Sequence, residues 1–326
     1  MKTKPPVRVF PPWSVSLVIL LLWLTARDAI PTTAARLLGL GLVTLDLFAA
    51  TATFNPTPED LTAGFRHPEA VAFLQERLAA DERFRIDAAT LAWQPDLAAV
   101  AGLDDVGGLY DPMQPAAYAT LRDAARADRS APLYDLLNAR YLIADATTDA
   151  PPGFREALRT GDGLVVWEND EAMPRVWLAY TADVVPADEA LRRILRPEFD
   201  PRRDLYISGS LPAAEPGGTG IARIADYESD VVSVAVETDR PAYLVLADVD
   251  YPGWRATIDG EPVTAATADG VFRVVSVPAG RHEVVWRFDP PLVRAGTALA
   301  GVGAGGILTV TVVGLRRRAR VVRRDA

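Results

Sequence analysis

The chain has 326 residues, 49% of them hydrophobic, with 34 lysines and arginines against 43 aspartates and glutamates and a formal net charge of −9. Residues 54–291 alone hold 22 of the basic and 40 of the acidic side chains, so this region is a poor binder of nucleic acid, whose affinity comes from phosphate contacts. The absence of cysteine excludes disulfides, thiol nucleophiles and thiolate metal sites, and the only histidines, His67 and His282, are too far apart in sequence to suggest a shared site.

Apolar residues gather near the two ends, which are also where the net charge is positive. Residues 13–26 form an uninterrupted apolar run. It reads as a first membrane span, or as the apolar region of a signal peptide behind Lys2, Lys4 and Arg8, or as a buried helix. Residues 37–53 form a second apolar run, broken by Asp46, an ionisable group that is either functional or paired within a bundle. Asn55-Pro56-Thr57 ends that helix.

From Phe65 the pattern becomes that of an α/β region. His67-Pro68-Glu69 predicts a helix start, with proline in the first turn and a carboxylate at the positive dipole end. Strands are expected at Phe84–Ile86, Arg140–Ala144, Leu164–Trp167 and Arg175–Tyr180. Short helices are expected at Leu133–Asn138 and Pro186–Arg196, and a glycine-rich turn at Leu103–Tyr110. Residues 209–220 read as a linker. Beyond Ile221 the pattern is all β: Val231–Glu237 alternates, Ala242–Ala247 is a buried-type run, and short strands separated by Pro252-Gly253, Asp259-Gly260, Asp269-Gly270 and Ala279-Gly280 predict an antiparallel β-sandwich over 221–291. Ala295–Leu315 is a third charge-free apolar run, followed by Arg316, Arg317, Arg318, Arg320, Arg323 and Arg324. That asymmetry predicts a terminal membrane helix with a cytoplasmic tail and the β domain outside.

The chemistry-bearing candidates are few. Gly301-Val-Gly-Ala-Gly-Gly306 spells a dinucleotide motif but follows no strand, and Gly301 and Gly305 suit helix packing better. Asp248, Asp250 and Asp259 lack the spacing of a calcium loop. Tyr251, Trp254 and Trp286 are either a platform for sugar rings or aromatic packing of the sandwich. No Ser/His/Asp order, P-loop or zinc helix is present, and no metal or cofactor is expected.

Asp250-Tyr-Pro-Gly-Trp-Arg-Ala-Thr-Ile-Asp-Gly260, then Val277-Pro-Ala-Gly-Arg-His282 and a terminal apolar run, resemble the C-terminal region of YfhO-like bacterial membrane proteins. So do Phe54-Asn-Pro-Thr57, Asp111-Pro112, Leu136-Leu-Asn-Ala-Arg-Tyr141, Glu168-Asn169 and Met173-Pro-Arg175. That family looks like GT-C glycosyltransferases. The resemblance implies transfer of sugar from a polyprenyl-phosphate donor to a cell-envelope glycan. It also implies a catalytic carboxylate in an early loop of a many-helix core. This chain has no such core, and residues 25–36 offer only Asp28, so no catalytic residue carries over.

The expected architecture is a membrane-anchored α+β protein with two or three transmembrane helices in 1–53 and 292–326. Between them lie an extracytoplasmic α/β region over 54–208, the linker 209–220 and the terminal sandwich. The expected partners are the lipid bilayer, a polyprenyl-phosphate sugar, an envelope glycan and a multi-span partner chain. The alternative is a stand-alone domain that binds a glycan or a protein without catalysis.

Overall fold

The computed structural model describes residues 12–51, 67–80, 83–108, 114–290 and 292–306. The chain divides into two compact units, Met1–Arg66 and His67–Ala326. In the first, helices α1 (Pro12–Ala26) and α2 (Thr32–Thr51) pack together, with Asp28 at φ 51 in the turn between them. Leu17, Leu20, Leu21 and Leu24 face Leu37, Leu38, Leu42 and Leu45 around a groove of about 390 Å³. The outward apolar side chains, Ile19, Leu22, Leu40 and Phe48 among them, are exposed.

The expected membrane topology is overturned here. No helix among the described residues is long and apolar enough to cross a membrane. At 1.5 Å per residue, the 15 residues of α1 reach only about 22 Å of a roughly 30 Å hydrocarbon core. Helix α2 has 20 residues, but Arg36, Asp46 and its threonines, glycines and alanines dilute its apolarity. The transmembrane spans, and with them the multi-pass location, outward-facing domain and cytoplasmic tail, are therefore withdrawn. The third expected span begins on helix α8 (292–306) and runs into residues outside those described, as do Asn55–Thr57, the arginine block and Asp111-Pro112.

The second unit is mixed α/β and contains three sheets. It opens with α3 (Pro68–Ala79), where Pro68 takes the first turn, Glu69 meets the positive end and Arg77 the negative end. Strands β1 (Arg85–Ala88), β2 (Asp104–Asp105), β3 (Ala139–Asp145), β4 (Phe154–Arg159) and β5 (Leu164–Asn169) form the first sheet in the order β2-β1-β3-β5-β4. Strand β1 is parallel to both β2 and β3, while β3, β5 and β4 are antiparallel. The crossovers carry α4 (Leu97–Val100), α5 (Ala116–Ala127) and α6 (Pro132–Asp135). Helix α5 buries Tyr118, Leu121 and Ala125, one face at helical spacing.

Strands β6 (Val176–Ala179), β7 (Asp183–Val184) and β8 (Tyr206–Ser208), with α7 (Ala187–Ile194) between the last two, precede the glycine-rich stretch. Then come β9 (Gly220–Tyr227), β10 (Val231–Thr238), β11 (Ala242–Val249), β12 (Trp254–Ile258), β13 (Glu261–Val263), β14 (Ala265–Ala268), β15 (Phe272–Val277) and β16 (Gly280–Phe288). They form one sheet ordered β13-β12-β16-β10-β9 and another ordered β6-β11-β15-β14-β8-β7. Residues 209–220 thus do not separate self-contained folds, because the six-stranded sheet takes strands from both sides of them.

That sheet is the middle layer. On one face Val176, Leu244, Leu246, Val275 and Val277 meet Val232, Val234, Val236, Val284 and Trp286 to make the sandwich core. On the other face Tyr243, Val245, Phe272 and Val274 meet Tyr118, Leu121, Tyr134 and Leu137 from the helices. Buried on both faces, β11 reads as the continuous run Ala-Tyr-Leu-Val-Leu-Ala rather than as an alternating strand.

Trp286 is 0% exposed and is enclosed by the sandwich core. Trp286→Ala is expected to cost about 3–5 kcal/mol, read by urea unfolding, because so large a buried ring leaves a cavity. Tyr251→Ala, at a side chain 55% exposed, is expected to stay within about 0.5 kcal/mol of the parent.

Candidate functional site

The turn Tyr251–Trp254 joins β11 to β12 at the edge of the sandwich. Gly253 has φ 123, and a Cβ there would lie 2.8 Å from the Phe288 ring and 3.1 Å from Pro290, so only glycine fits. The turn places the Trp254 ring 5.4 Å from Phe288 and beneath the Arg273 guanidinium, 3.7 Å from the ring centroid. Tyr251 lies 6.5 Å from Phe288 with its outer face in solvent. Of the three aromatic candidates, Tyr251 and Trp254 therefore come together around Phe288, and Trp286 does not join them.

Beneath this corner lies a buried ionic cluster centred on Asp248. Its carboxylate meets Arg85 at 3.1 Å, Arg175 at 3.0 Å and Arg273 at 3.7 Å, and accepts from the Tyr227 hydroxyl at 2.9 Å. Burial would raise the Asp248 pKa, but Arg175, Arg85 and Arg273 outweigh it and hold the carboxyl below its ordinary range. Burial presses Arg273 the other way, below the usual guanidinium value. Its Nη1 is buried without a hydrogen-bond partner. Asp104 joins Arg175 at 3.3 Å to Arg83 at 3.5 Å, and Arg83 covers the Tyr227 ring at 4.1 Å.

Of the segments that carry the sequence resemblance, Leu136–Tyr141 and Met173–Arg175 reach this cluster through Asn138 and Arg175, and Glu168-Asn169 lies beside them. Asn138, held at φ 59, donates to the Met173 carbonyl at 2.9 Å and accepts from Arg175 at 3.4 Å. Asn169 donates to Asp135 at 2.8 Å, and the Met173 amide donates to the Asp135 carbonyl at 2.9 Å. Buried Glu168 gathers Arg140 at 2.9 Å and Arg155 at 2.7 Å. Arg85 from the first sheet and Asp248 and Arg273 from the six-stranded sheet thus share one ionic cluster that ties the two sheets together.

The remaining candidates sit apart. His282 bonds Asp259 at 2.7 Å, and that contact, with the Glu283 amide, holds Asp259 below the usual carboxylate range. His67 bonds Asp162 at 2.7 Å and stacks on Trp93. Asp250 accepts from Thr267, so Asp248, Asp250 and Asp259 each serve a different neighbour. Among the described residues no three of His, Cys, Asp and Glu are grouped to hold a metal ion.

One acidic cluster escapes sequence reasoning. At the carboxyl ends of the parallel strands β1 and β2, where α/β sheets place ligands, Asp87 is fully buried. Arg126 lies 2.5 Å from it, Arg129 2.9 Å and the Tyr134 hydroxyl 3.0 Å. Its neighbour Asp105 is pushed up to about 6, chiefly by burial. The only sequence sign was a pair of aspartates, Asp104-Asp105, set between Leu103 and Val106. Matched against family models, curated proteins and solved structures, the chain gives no match.

Proposed function

We propose that the chain is a carbohydrate-contacting module without catalysis of its own, serving transfer of sugar from a polyprenyl-phosphate donor to a cell-envelope glycan. The observation that carries the contact is the Tyr251–Trp254 corner. An exposed tyrosine and a half-buried tryptophan are held rigidly by Gly253, Phe288 and Arg273, which is how a protein offers flat apolar faces to sugar rings at little entropic cost. The transfer role rests on the resemblance to YfhO-like proteins. The absence of catalysis rests on the same resemblance: residues 25–36 offer only Asp28, so the family's catalytic carboxylate does not carry over.

The test is calorimetric titration of the purified full chain with fractionated bacterial envelope glycans. Binding is expected in one fraction, with a loss of about tenfold or more in Tyr251→Ala, whose fold is untouched, and in Trp254→Ala. Failure of every fraction to bind would sink the reading.

A further inference from the structure

Helix α1 is apolar on every side. Its consecutive residues Val18, Ile19, Leu20 and Leu21 point around the whole circumference, and Pro12–Ala26 carries no charge. Such a helix is stable where apolar material surrounds it. In the hairpin it is covered only where α2 packs. Thirteen large apolar side chains of α1 and α2 are 43–71% exposed. At about 60–120 Å² for a whole side chain of this kind, they leave on the order of 600 Å² of apolar surface open. That is the upper end of what a monomer shows in one patch, and about what one partner brings to the smaller stable interfaces.

The helices themselves narrow what covers them. Neither is long and apolar enough to cross a membrane. Neither is made to lie on a membrane surface, which takes a strongly charged face opposite the apolar one: α1 has no charge and α2 only Arg36 and Asp46. The cover is therefore protein. The 390 Å³ groove between the helices shows its shape. Half-buried Leu21, Leu24 and Leu42 are its inner walls, and exposed Leu17, Leu20, Leu38 and Leu45 its rims. Three- and four-residue steps separate them along each helix, the spacing of a seam that packs knobs into holes. Gly41 lines the groove as well, and a Cβ there would meet nothing within 4 Å, so the face carries a hole beside its ridges.

A face with both ridges and a hole is complementary to itself. Across a two-fold axis each residue meets the same patch on the other copy, so a charged face repels its own image. No charged residue lines this groove. We propose that two copies of the chain associate through the leucine face of the α1–α2 hairpin, the ridge of one in the groove of the other, closing the two hairpins into a four-helix bundle. The contact uses no residue of the Tyr251–Trp254 corner, so either reading can fail without the other.

Sedimentation equilibrium of the full chain without detergent, at about 10 μM, tests it: the mass of a dimer is expected. Leu38→Asp sets two like charges against each other in the contact and should weaken the dimer at least about tenfold with an unchanged circular-dichroism spectrum, because Leu38 is exposed in the hairpin. The chain has no cysteine, so single cysteines report the face directly. At least one of Leu20→Cys and Leu38→Cys, on the groove rim, should form a disulfide-linked dimer about tenfold or more faster than Leu22→Cys, which is exposed but off the groove. A monomer at this concentration, a mass beyond the dimer, or equal cross-linking at all three positions would overturn the proposal. Flotation of the chain with phosphatidylcholine vesicles would overturn it too, by showing lipid to be the cover.

Discussion

Asp248→Asn is expected to destabilise the protein by about 3–5 kcal/mol, measured as a lower urea midpoint with an unchanged slope. Asp248 is the shared counter-ion of Arg85, Arg175 and Arg273, which come from three separate stretches of the chain and are all nearly buried. Removing its charge leaves three guanidinium groups out of water with only Asp104 close by, and the cost of an uncompensated buried charge far exceeds the net worth of the pair it belonged to. Asparagine keeps the shape and one acceptor, so packing loss cannot account for a large effect. A second substitution gives the control. Arg273 already lacks a partner for Nη1, so Arg273→Met in the Asp248→Asn background removes one of the stranded charges and should recover about 1 kcal/mol or more, on the order of a coupled pair. A cost below about 1 kcal/mol for the single change, or strict additivity of the two, would show that the cluster does not fix the sheets together.

What could be read from the sequence was local. The Asp-Gly pairs lie where hairpin chemistry puts them: Asp259 and Gly260 at φ 52 and 86 turn β12 into β13, and Asp269 and Gly270 at φ 54 and 72 turn β14 into β15. Helix α7 announced itself through Pro186, Asp188 and Glu189 at its start and Arg192 and Arg193 at its end. Helix α5 was missed because its burial rests on Tyr118, Leu121 and Ala125 alone, among alanines and arginines that blur the period. The long-range pairings were out of reach. Nothing local says that Val176–Ala179 joins β11, far along the chain, or that Arg85 crosses to Asp248. The apolar runs near the N-terminus misled, because composition reports apolarity and not helix length: α1 stops at 15 residues. Of the two readings open for the aromatic triad, the alternation of β16 assigns Trp286 to packing, because it sends that ring inward to the sandwich core.

Asp269→Asn is expected to stabilise the protein, and only above acidic pH. Asp269 sits in the β14–β15 turn, 1% exposed, with the Tyr206 amide donating to its carboxylate at 3.0 Å and no cation against it among the described residues. A Cβ on the next residue, Gly270, would lie 2.8 Å from the Ala187 carbonyl, so the turn is pressed against α7 and cannot open to water without moving that helix. Burial pushes the Asp269 carboxyl up to about 7, the Tyr206 amide offsets only part of that, and nearby Asp204 adds to it. The folded value thus lies above the unfolded one of about 4. Between about pH 4 and 7 the unfolded chain has released a proton that the folded chain retains, so stability falls across that window by up to about 1.4 kcal/mol per pH unit and levels off above it. Asparagine accepts the same Tyr206 hydrogen bond, tolerates the left-handed backbone and has no proton to lose. The variant should therefore match the parent near pH 4 and exceed it by on the order of 3 kcal/mol at about pH 8 in paired urea titrations, with Asp105 titrating in both proteins and cancelling from the difference. An equal difference at both pH values would mean that Asp269 does not hold its proton in the fold, and a loss at the higher pH would mean that its charge is needed there.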